Sequence, residues 1–151
     1  VTQGGSVLQR AFEQMRMLHI GFLVTWFLFI FVIARGIQPS PGTSGGAPFL
    51  PVLLGFVCVA EVGVVLFFRA KFISGAEVIL RAGPDNATAI AKWRTGNLLS
   101  FCMAETVALF GLVLRFLAFG WNVAGVFFAG GLVLLLLWTP RKIDMMPRGV
   151  R

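Results

Sequence analysis

Two carboxylates stand inside otherwise apolar runs: Glu61, between Phe49 and Phe68, and Glu105, between Trp93 and Arg115. A charged acid at the centre of a bilayer costs roughly 2.5–3.5 kcal/mol on insertion scales. Such a group either finds a buried partner or takes up a proton, so both are candidate proton-binding residues. Glu61 is eight residues from Arg69 and Glu105 eleven from Arg94. At 1.5 Å per helical residue, both lie roughly 12–17 Å from a basic boundary. If their helices pack side by side, the two carboxyls are at similar depth and could share a proton or hydrogen-bond each other. The alternative use is structural: a protonated pair of the two, or a Glu bonded to Asn97, Ser100, Thr106 or Thr25, holds helices together.

Other side chains offer less chemistry. His19, the single histidine, falls at the start of the first apolar run, where a solvated ring at headgroup level is expected. A haem held by two histidines needs a second one. Cys58 and Cys102 both lie in apolar runs and read as small packing hydrophobes rather than a disulfide. No ligand cluster, nucleotide loop or nucleophile triad is present in the sequence, so it implies no metal, no cofactor and no catalytic residue.

The elements that must position the two acids are membrane helices. Of the 151 residues, 58% are hydrophobic and 13% charged, against about 45–50% and about 25% in soluble domains. That excess, with a mean hydropathy of +0.88, makes lipid the expected solvent. The predicted fold is an all-α integral membrane protein. Four transmembrane helices, over about 17–35, 49–69, 95–119 and 121–139, form two antiparallel hairpins in a single domain. Val32-Ile33-Ala34 resembles a signal-peptidase site, but Glu13 in the polar lead and three further spans favour a retained helix.

Between the first two spans, 36–48 is a Gly- and Pro-rich loop by composition. A polar loop with a short helix occupies 70–94. Ser74-Gly-Ala-Glu77 has capping-box spacing for that helix, Gly83-Pro84 stops it, and Asp85 or Asn86 caps the next.

The net charge of +7 carries topology rather than nucleic-acid binding, because the cations lie between and outside the apolar runs. The amino-terminal lead, the 69–94 segment and the carboxyl tail hold two, five and four of the thirteen Lys and Arg residues; Arg35 and Arg115 fall on the other side, where Arg115 is expected to reach headgroups. Both termini are therefore expected in the cytoplasm, in a bacterial cytoplasmic membrane. Trp93, Trp121 and Trp138 are placed as interface anchors. Small residues at helical spacing mark packing faces: Ala104, Ala108 and Gly111 on the third span, Gly125 and Ala129 on the fourth, Gly55 and Gly63 on the second.

Arg81-Ala-Gly-Pro84, Arg94-Thr95 and Ala104-Glu-Thr-Val-Ala-Leu-Phe-Gly-Leu-Val-Leu114 resemble the proteolipid subunit c of rotary ATP synthases and ATPases, over about residues 74–117. In that family a basic, Pro-containing cytoplasmic loop leads into a helix whose Glu binds the transported proton. The resemblance implies that role for Glu105, in an energy-converting complex with other membrane subunits or further copies of the chain. The alternative expectation is an accessory membrane subunit without chemistry, whose two Glu residues are held in helix contacts.

Overall fold

Uninterrupted apolar runs without internal proline favour long helices, and long helices are what form. A computed structural model describes residues 3–36, 47–141 and 143. In order they build α1 (Gln3–Gly36), α2 (Leu50–Phe68), a π-helical segment (Arg69–Ser74), α3 (Gly75–Ala82), α4 (Ala87–Phe116) and α5 (Trp121–Leu137). No strand occurs among the described residues. The loop expected over 36–48 and the basic tail beyond Arg141 fall almost wholly outside the described residues.

Three helical stretches are long and apolar enough to cross a bilayer: Val7–Arg35, Leu50–Ala82 and Ala87–Phe116. The fourth apolar helix, α5, has 17 residues, about 25 Å at 1.5 Å per residue, the lower end of what a span needs. By the same measure α1, with 34 residues, is about 51 Å long, well beyond a hydrocarbon core of about 30 Å.

The extra length is used. One core, along the apolar stretch, gathers Trp26 and Ile33 of α1, Val65 of α2, Phe101, Ala104, Ala108 and Leu114 of α4, and Phe128 and Leu135 of α5. A second core lies at the basic end, where Leu8, Ala11 and Met15 of α1 join Ile73, Ala76 and Leu80, and Ala89, Ile90 and Trp93 of α4. Ile143 packs against this second core, so the first and last described parts of the chain share one end.

The helix α4 is the hub. It packs against α1, α2, the π segment, α3 and α5. Half of its apolar stretch is buried, compared with 6% for α2. The expected pairing of the first two spans into a hairpin is not what organises them: α1 and α2 each lean on α4 rather than on each other. Small side chains on α4 explain the preference, because they let several neighbours approach it closely.

The helix expected to restart at Ser74 does not restart. Ser74 has helical dihedrals and makes no capping bond, and Gly75 donates its N–H to the Phe72 carbonyl. With no orphan amide to satisfy, the capping box has no function there. The backbone instead widens into the π segment and continues to Ala82. Asn86 does cap α4, its side chain accepting from the Ala89 N–H at 3.0 Å.

The turn between α4 and α5 closes with Phe119 N–H on the Leu114 carbonyl and Ala118 N–H on the Arg115 carbonyl. This is a Schellman ending, and its left-handed position (φ 64°) is held by Ala118 rather than by glycine.

Candidate functional site

Along α4 the positions Phe101, Ala104, Glu105 and Ala108 follow the i, i+3, i+4, i+7 pattern of one helix face, and all four are buried. Phe101 is met by α1, its ring 5.0 Å from His19 and 5.8 Å from Phe22 between centroids. Ala104 and Ala108 face α5: a Cβ placed on Gly131 comes within 2.9 Å of the Ala104 carbonyl oxygen and 3.0 Å of the Ala108 Cβ. Glu105 is buried on the same face of α4, on the opposite side of Phe101 from Ala104 and Ala108. The indole of Trp26 ties α1 to α5 in this core, donating to the Phe128 carbonyl at 2.9 Å.

Glu105 is 7% exposed, and among the described residues neither Oε1 nor Oε2 has a hydrogen-bond partner. Each structural partner anticipated from the sequence is committed elsewhere. Asn97 donates to the Trp93 carbonyl, Ser100 to Gly96, Thr106 to Cys102 and Thr25 to Gly21, all four residues back along their own helices. Hydroxyl and amide groups inside helices favour this local bond because the acceptor is always within reach.

The anticipated Glu61–Glu105 pair does not form either. Glu61 is partly buried on α2, with its Oε2 also lacking a hydrogen-bond partner among the described residues.

Other anticipated positions differ as well. His19 is not solvated; it is 5% exposed, with Nδ1 buried and without a hydrogen-bond partner. Trp93 and Trp138 are buried at 1% and 6%, whereas Trp121 is exposed. Trp93 fills the basic-end core because α1 and α3 extend far enough to cover it. Arg115 is buried rather than reaching outward: Nη1 donates to the Phe119 carbonyl, and the guanidinium lies 4.7 Å from the Trp121 ring centroid.

On α5 the packing residues are not Gly125 and Ala129. Space around Gly125 is open to 4 Å, and Ala129 is exposed. The contact face is Ala124, Phe128 and Gly131, met by Ala104, Ala108 and Gly111. A Cβ on Gly111 falls 2.9 Å from the Ala124 carbonyl oxygen. Both sets of positions have helical spacing, and only docking against α4 selects one of them.

Sequence reasoning also missed a cluster at the basic end. Arg69 donates to the Ser100 hydroxyl at 3.0 Å and lies 5.6 Å from the Trp138 ring centroid. The π segment supports this arrangement, with Ile73 and Phe72 lying on Gly96; a Cβ there meets Ile73 Cγ1 at 2.6 Å. No sequence pattern signals a π turn, although Arg69 closing an apolar run pointed to the level of the boundary.

Among the described residues, no group of three or more His, Cys, Asp or Glu side chains is placed to hold a metal ion. Cys58 and Cys102 are both free thiols. The chain matches no family model, and no curated protein or solved structure matches it.

Proposed function

We propose that this chain is a small polytopic membrane subunit in which Glu105 binds and releases a proton within a larger energy-converting complex, in the manner of a proteolipid. One observation carries the reading: the carboxyl lies in the inner face of the hub helix with both oxygens buried and no hydrogen-bond partner among the described residues. A purely structural glutamate gains its keep-in-place energy from donors, and here the partners that the sequence offers donate to carbonyls of their own helices instead. In this reading four spans cross a cytoplasmic membrane, and the basic end, with both termini, faces the cytoplasm.

A second reading is favoured by α2, whose apolar stretch is only 6% buried. In an accessory subunit without chemistry, that flank lies against another membrane protein, and Glu61 takes a donor from it.

Labelling with an apolar carbodiimide, which attacks protonated carboxyls in lipid, separates the two. Selective modification at Glu105, falling as pH rises and abolished in Glu105→Gln, is the expected result. A Glu105 that stays unmodified at every pH, with Glu105→Gln failing to assemble, transfers the assignment to the accessory reading.

A further inference from the structure

We propose that His19 is a second proton-carrying group, exchanging protons with Glu105 along the seam between α1 and α4; this rests on the proton-binding reading of Glu105. His19 and Glu105 are both more than nine-tenths buried. Among the described residues, His19 Nδ1 and both Glu105 oxygens are buried without hydrogen-bond partners. Two such groups on one seam, in a protein whose other buried polar side chains there bond their own helices, call for a shared purpose.

Their placement suits a relay. The two helices run in the same direction: Met15 and Trp93 share the basic-end core, and His19 and Phe22 then meet Phe101. Met15, one turn before His19, belongs to the basic-end core, so His19 stands at the junction of the two cores. Glu105 is four residues beyond Phe101 on the same face of α4, about 6 Å along the axis. The fully buried Phe101 ring packs on the imidazole of His19, so the relay requires one or two waters bonded to the polar atoms of His19 and Glu105 to complete it.

No competing charge enters from α5, which carries no Asp, Glu, Lys, Arg or His between Trp121 and Leu137. α2 contributes Glu61 and the Cys58 thiol, the π segment Arg69, held on Ser100, and α4 itself Arg115, held on the Phe119 carbonyl. On α1 the neighbouring charges, Glu13 and Arg16, are exposed.

In each transfer the imidazole takes a proton on one ring nitrogen from the basic side and releases the proton on its other nitrogen through water to the Glu105 carboxylate. A neutral carboxylic acid and a neutral imidazole result, and reversal empties the site. His19 is a proton-transfer residue, and Phe101 a positioning residue that limits water in the seam.

The test is hydrogen–deuterium exchange of the Glu105 carboxyl in the intact protein in liposomes, followed by infrared spectroscopy after transfer to deuterated buffer. The band is assigned by its loss in Glu105→Gln. His19→Phe and His19→Gln are expected to slow exchange by roughly a hundredfold, the scale of a lost proton-transfer catalyst. Added imidazole should restore part of the rate in His19→Gly. Unchanged exchange in both His19→Phe and His19→Gln, with wild-type helicity and oligomeric state, overturns the relay and leaves Glu105 as the site. A wild-type carboxyl that never exchanges overturns the reading of Glu105 itself, and the relay with it.

Discussion

Replacing Glu105 by Met asks whether the carboxyl is kept for function or for stability. Met has similar length and no need for hydrogen bonds, and the site is apolar: Phe101, Ala104 and Ala108 are all fully buried around it. With both oxygens buried and unpartnered among the described residues, wild type carries the desolvation cost of an unsatisfied polar group, about 1–3 kcal/mol. Met removes that cost and keeps most of the packing, since volume-conserving swaps cost less than about 1.5 kcal/mol. Glu105→Met is therefore expected to be stabilised by about 1 kcal/mol while losing carbodiimide reactivity. Reversible unfolding in mixed detergent–lipid micelles, followed by helical circular dichroism, measures the change. Destabilisation by more than about 1 kcal/mol refutes the reasoning, because it means that the carboxyl has a partner whose loss outweighs the relief. That outcome also favours the accessory-subunit reading.

Two further substitutions test the frame that holds the site. Gly131→Ala drives a Cβ to 2.9 Å from the Ala104 carbonyl oxygen and should destabilise by about 1–3 kcal/mol as overpacking, less the helix-propensity gain; Gly125→Ala, with open space around it, should be neutral or stabilising by up to about 1 kcal/mol in the same unfolding assay. Ala118→Gly relieves the left-handed strain at φ 64° and should stabilise by about 0.5–1 kcal/mol; an unchanged or lower unfolding midpoint contradicts the Schellman ending.

Much of the architecture was legible because lipid acts on composition. Long, mostly apolar runs became helices, Asn86 of the two candidate caps Asp85 and Asn86 formed the bond, and Glu105 stood out as an acid where acids are costly. Periodicity also marked Ala104, Ala108 and Gly111 as a close-packing stripe, and α5 packs against them. Local signals of this kind depend only on a residue and its near neighbours in the chain.

What tertiary structure decided were matters of mutual docking. The small pair Gly125 and Ala129 carried the helical spacing on α5, yet docking against α4 used Ala124, Phe128 and Gly131 instead. Trp93 carries the same indole as Trp121, yet one is buried in the basic-end core and the other exposed, because α1 and α3 extend to cover only the first. His19 joined the candidate site through a ring 82 positions away, Phe101. Sequence spacing reports which face of a helix a residue occupies, but which helix covers that face depends on side chains far apart in the chain meeting at once.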